Sequence, residues 1–86
     1  MRKLLFFHAS WCGPCKKFEK DVIAPLEKTV GAECIERIYG WKEPHRAEKY
    51  QIDKLPTVIL LDGETVYLKR TGTIDVNEAA NWLKGV

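Results

Sequence analysis

A mixed α/β sheet of four strands, with elements in the order β-α-β-α-β-β-α, is the fold class predicted by this 86-residue sequence. Three observations carry that prediction. Two runs, Leu4 to Phe7 and Thr57 to Leu61, are short and almost wholly apolar, as in strands covered on both faces. Two stretches, beginning near Gly13 and Asp75, repeat apolar residues at helical spacing. Asp62-Gly63, directly after the second apolar run, is a two-residue hairpin signal.

The first strand is expected over Lys3 to His8. A helix follows from about Gly13: Pro14 suits a first turn, and Cys15, Phe18, Val22 and Leu26 form an apolar stripe. Pro25 must kink or end that helix. Glu33 to Ile38 reads as a short second strand, with Cys34 a small buried hydrophobe within it. Pro44 opens a short helix through Tyr50, with Ala47 and Tyr50 turned inward and His45 in solvent. The third strand, Thr57 to Leu61, turns at Asp62-Gly63 into an alternating edge strand, Val66 to Lys69. Asp75 caps the last helix with Glu78 three residues on, a box-like pair. Val76, Ala79, Ala80 and Leu83 mark its buried face, Trp82 packs it near the sheet, and Gly85 ends it. A helix between the first two strands implies parallel pairing with a right-handed crossover. Helices on both faces complete the layers.

Composition bounds the rest. Residues 1–86 suit a single domain, and a chain of this length buries roughly 60% of its unfolded surface, enough for one small core. With 45% hydrophobic residues and a net charge of +2, basic and acidic side chains interleaved, nothing points to nucleic acid or an anionic membrane. Arg2 and Lys3 precede only four apolar residues, against roughly 7–15 in a secretory signal, so this stretch reads as a strand. No stretch approaches the ~18–20 apolar residues of a membrane span. A cytoplasmic location is expected, where a cysteine pair is more often catalytic than structural.

Chemistry concentrates in Trp11-Cys12-Gly13-Pro14-Cys15, between a strand-like run and a helix-like one. A Cys at a helix start meets unpaired N–H groups and the positive end of the dipole, and both stabilise the thiolate that attacks disulfides. Lys16 and Lys17 push the same way. Thiol–disulfide exchange is the reading this placement favours. The competing reading is half of a zinc site, but the other soft ligands, Cys34, His8 and His45, show no second paired spacing. No metal is expected.

The W-C-G-P-C-K run, the Leu55-Pro56-Thr57 tripeptide before the third strand and Gly72 after the fourth together resemble the thioredoxin family. The resemblance spans essentially the whole chain and is to the minimal core of that fold, without the leading strand and helix of full-length members. It implies a protein-disulfide reductase with no cofactor beyond a redox-active Cys12–Cys15 disulfide. Cys12 would attack and Cys15 would resolve the mixed disulfide, while Gly13 and Pro14 hold the sulfurs within bonding reach. Pro56 matches the family's cis-proline beside the sulfurs. Trp11, Leu55, Pro56, Thr71, Gly72 and Thr73 would rim a shallow groove for an extended peptide, unless Trp11 is simply core. Protein disulfides would be the substrates, and a thioredoxin-reductase-type flavoenzyme the electron donor. A monomer is expected. An oxidase or isomerase, or a non-catalytic peptide-binding module, are the competing functions.

Two positions depart from the family pattern. Phe6 stands where thioredoxins usually bury an Asp that handles the resolving thiol's proton, and His8 replaces an aromatic. Titrating near neutrality, His8 is a candidate to carry that proton to and from Cys15; the alternative is a packed or wet His8, with water carrying it. Arg37 falls near a family Lys and, lacking its acid, is expected at an exposed strand edge, paired with Glu36 or Glu33. Pro25 is displaced from the family's kink, so the first helix is expected to run longer before bending. Trp41, in a Gly-Trp-Lys loop, either covers the core edge or belongs to a partner surface.

Overall fold

In the computed structural model, which describes residues 1–85, the central strand β1 (Arg2–His8) has neighbours on both sides. It pairs in parallel with β2 (Ile35–Tyr39) and antiparallel with β3 (Thr57–Asp62), and β3 pairs antiparallel with β4 (Thr65–Thr71). The sheet order is β2-β1-β3-β4. Leu4 to Phe7 and Val58 to Leu61 are buried because these two inner strands are covered on both faces.

The pleat divides the apolar side chains into two layers. Leu4, Phe6, Val58 and Leu60 pack with Phe18, Ile23 and Leu26 from the helical run after the motif, and with Ala79, Ala80 and Leu83 from the last helix, α4 (Val76–Leu83). Leu5, Phe7, Ile38, Ile59 and Leu61 form the other layer, against Ala47 and Tyr50 of the segment containing α3 (Pro44–Lys49). Helices therefore lie on both faces, as the sequence predicts. The α3 helix is tied to the edge strand through Arg46, which donates to Glu36. Arg46, together with Lys3 Nζ 2.9 Å away, holds the Glu36 carboxyl at about 2, well below its usual range.

The first helical run differs from expectation. It is α1 (Gly13–Phe18), a π-helical turn (Glu19–Ile23), then α2 (Ala24–Val30). Pro25 has no N–H to offer and its ring would crowd the carbonyl four residues back. The π turn, closed by Ala24 N–H to the Glu19 carbonyl, widens the helix ahead of it, so Pro25 sits in the first turn of α2 and the helical run continues through Val30.

The second strand starts later than the sequence suggests. Ala32–Cys34 form a 3₁₀ turn, so Cys34 is a half-buried free thiol ahead of the strand, rather than a buried strand residue. β4 is longer than Val66 to Lys69 and carries a bulge, in which Tyr67 is the extra residue between the Leu60–Leu68 and Leu61–Val66 pairs. Asp75 caps α4 by accepting from Glu78 N–H at 2.9 Å. Among the described residues, no helix is long and apolar enough to cross a membrane.

Candidate active site

Cys12 is the N-cap of α1, and its extended backbone (φ −92°, ψ 102°) turns the chain from the β1 exit into the helix. Its Sγ accepts the Cys15 N–H at 3.2 Å, one of the helix-start donors that has no carbonyl partner. Pro14 lies in the first turn, where its missing N–H costs nothing. Cys12 and Cys15 are joined in a disulfide across Cα atoms 5.3 Å apart, and both are nearly buried. Opening that bond leaves Cys12 Sγ facing a backbone donor and the positive helix end, which favours its thiolate.

The Leu55–Pro56 peptide bond is cis. Thr57 holds this turn: its hydroxyl donates to the Lys54 carbonyl at 2.6 Å and lies 3.1 Å from the Thr71 hydroxyl. Gly72 N–H donates to the Pro56 carbonyl at 2.9 Å and takes φ 82°, so the β4 exit folds over the proline. A side chain at Gly72 would be strained by that φ.

The expected single groove is divided in two. One hollow of about 340 Å³ is lined by Trp11, Cys12, Gly40, Trp41, Ala47, Ile52, Asp53, Lys54 and Leu55. A second, of about 240 Å³, lies between Pro14, Lys17, Phe18, Asp21 and Val22 on one side and Pro56, Gly72 and Thr73 on the other. Thr71 lines neither and instead supports Thr57. Trp11 is 73% exposed, so it is a rim residue and not core. The first hollow was the part missed by sequence reasoning. Its signals were Trp41 in a charged loop and Ile52 after α3. Gln51 takes a left-handed φ of 54° and Ile52 N–H donates to the Ala47 carbonyl at 2.8 Å, which turns Ile52 toward the site.

Behind the disulfide, Phe6 is 1% exposed and stacks on Phe18 (centroids 5.5 Å apart) and on His8 (4.9 Å). His8 also packs against Tyr39 at 4.4 Å, and its Nε2 is buried with no hydrogen-bond partner. Burial lowers the imidazole pKa below 6.5; the nearby Glu19 charge raises it, and Arg37 lowers it further. Arg37 is exposed on the edge strand as predicted, but its partners are Glu19 and Glu27 from the first helical run, not Glu36 or Glu33. Glu36 belongs to Lys3 and Arg46 instead. Among the described residues, no three His, Cys, Asp or Glu side chains gather as a metal site.

These pKa shifts predict a pH effect on stability. The unfolded chain takes up a proton on His8 near 6.5, whereas the folded chain resists it. The stability due to neutral His8 is therefore complete above 6.5 and is lost as the pH falls from there through the lower folded value. Urea unfolding of the wild type should show this decline, and His8→Phe, which keeps the ring stack, should remove that component. Identical slopes in the two proteins below pH 6.5 would show that His8 is not its source.

The sequence pattern of the thioredoxin-like domain matches residues 1–86. The chain belongs to the thioredoxin family. A thioredoxin of Chlamydia caviae is 39% identical over 64 residues, covering 73% of this chain and 62% of that protein. Chloroplastic thioredoxin Y2 of Arabidopsis thaliana is 32% identical over 75 residues, 87% of this chain but 45% of its own length. The chain thus spans about half to three-fifths of these two relatives. Among solved structures, a malaria parasite thioredoxin-2, described as a component of that parasite's protein secretion machinery, superposes with a TM-score of 0.84 at 24% identity. That match covers 100% of this chain and 84% of the other. The germline-specific thioredoxin Deadhead of Drosophila melanogaster gives 0.77, also at 24% identity, covering 99% of this chain and 80% of its own. Both establish the thioredoxin fold.

Proposed function

We propose that this chain is a thiol–disulfide oxidoreductase that reduces disulfides in other proteins. The observation that carries the reading is the Cys12–Cys15 disulfide at a helix start, with an open hollow lined by Cys12 to admit a substrate chain. The Cys12 thiolate attacks one substrate sulfur; the substrate S–S bond breaks, and the departing thiolate takes a proton. Cys15, deprotonated in turn, attacks the Cys12 sulfur and breaks the mixed disulfide, releasing the second substrate thiol. Two electrons have passed to the substrate, and the pair is left oxidised. A dithiol from a thioredoxin-reductase-type flavoenzyme restores it. The cytoplasm, with its reduced thiol pool, is the setting that suits this direction.

The backbone just before Pro56 supports peptide recognition in this scheme. Among the described residues, the backbone groups of Leu55 have no backbone partner, leaving them open to an extended substrate segment. His8 is the proposed proton carrier for Cys15. Its buried, unpartnered Nε2 favours that role over a purely wet side chain.

Single-turnover mixing of the dithiol form with insulin tests the reaction class. About one insulin disulfide should be opened per chain, and no transfer would sink the enzyme reading in favour of a binding module. Equilibration with glutathione then sets the direction. A reductase should have a potential at or below about −260 mV, whereas one above about −180 mV would make the chain an oxidase or isomerase.

A further inference from the structure

We infer that Trp41 is a specificity-determining residue, walling a subsite for a bulky apolar side chain next to the reacting cysteine of the substrate. This rests on the thiol-exchange reading above. The hollow opens onto Cys12, so a substrate joined to that sulfur must place neighbouring residues over it. Its walls are Trp11, Trp41, Ala47, Ile52 and Leu55, and two of them are largely bare indole rings, 73% and 53% exposed. Bare aromatics of this size facing one hollow are suited to a partner's apolar side chain. The rim charges, Asp53 and Lys54, are of opposite sign and offset one another, which favours an apolar occupant over an ionic one. At about 340 Å³ the space is at the small end of ligand pockets and suits one large side chain.

The Trp41 wall is held in place before any substrate arrives. Gly40 N–H donates to the His8 carbonyl at 3.1 Å, anchoring the loop to β1 beside the motif. Lys42 and Glu43 N–H groups both donate to the Tyr39 carbonyl, closing the turn around Trp41. The Trp41 ring meets Tyr39 edge-on with centroids 6.2 Å apart, and Lys42 Nζ lies 5.0 Å from the centroid of each ring. Little ordering is left to be done on binding, so contact with Trp41 translates into preference.

The test uses Cys15→Ser, which stops exchange at the mixed disulfide on Cys12. Four short peptides carry one cysteine, with phenylalanine or serine either before or after it. Each is supplied as its mixed disulfide with glutathione, so that the Cys12 thiolate attacks the peptide sulfur and displaces the glutathione thiolate. The mixture is equilibrated in excess reduced glutathione, and the Cys12-bound peptide fraction is read by mass spectrometry. At one of the two positions, phenylalanine should be preferred over serine by about tenfold or more. Adding Trp41→Ala should reduce that ratio to about twofold or less, Trp41→Phe should retain most of it, and Tyr67→Ala, on β4, should leave it unchanged. No preference with Trp41 present, or the same preference in Trp41→Ala, would overturn the inference while leaving the exchange chemistry standing. Failure of Cys12 to join any peptide would overturn both. The ratio is internal to each protein, so a small change in overall reactivity does not affect it.

Discussion

Cys12→Ser should lose protein-disulfide reduction by at least about a thousandfold, because the thiol that remains, Cys15, is buried and opens onto neither hollow. Cys15→Ser should lose turnover as completely but by a different route: one equivalent of substrate should remain on Cys12. The asymmetry follows from where the two sulfurs lie. Cys12 is the cap of α1, accepts a backbone N–H and lines the hollow beside Trp11. Cys15 is three residues further along, inside the helix, 3% exposed, and lines neither hollow. An incoming disulfide therefore meets Cys12 first, and Cys15 can reach only a sulfur already bonded to Cys12. Mass spectrometry of the variants after mixing with insulin reads both outcomes. A stable adduct on Cys15 in Cys12→Ser, with none on Cys12 in Cys15→Ser, would reverse the assignments.

The parts of this fold that were legible in the sequence are those with one dominant local force. β1 and β3 lie inside the sheet, so their apolar runs have no polar alternation to confuse the reading. The α4 cap and the β3–β4 hairpin, whose two turn residues are Gly63 and Glu64 with Asp62 still paired to Thr65, are set by residues within three positions of each other. The motif was legible for the same reason, since Cys12 through Cys15 build their own turn.

Features that depend on distant partners were not legible. Glu19 and Glu27 are eight apart, which on a uniform α-helix puts them about 80° apart around the axis. The π turn between them alters that rotation, and both carboxylates reach Arg37. Nothing local announces this, so Arg37 was matched to its near neighbours in sequence. The same holds for the first hollow, whose walls come from the motif, the loop after β2, α3 and the approach to Pro56.

Phe6→Asp should bring the protein close to unfolding at neutral pH, although it places an acid where thioredoxins usually have one. Phe6 is 1% exposed on the central strand, and losing its ring costs about 3–5 kcal/mol through cavity and transfer effects. A domain of this size has a total of only about 4–13 kcal/mol. The new carboxylate would also be stranded among Phe18, His8 and the apolar layer. Arg37, paired in register with Phe6 across the parallel strands, is the nearest candidate counter-charge, but Glu19 and Glu27 already occupy its guanidinium. Burial would raise the Asp pKa above its unfolded value of about 3.9. The protonated carboxyl is then the form that folding favours. Stability of the variant should rise as the pH falls from 7 toward about 4, the opposite sign to the His8 effect in the wild type. Urea unfolding at several pH values measures both trends. A Phe6→Asp protein as stable as wild type at pH 7 would mean that Arg37 leaves its two glutamates to meet the new acid, and Glu19→Gln would then stabilise the variant further.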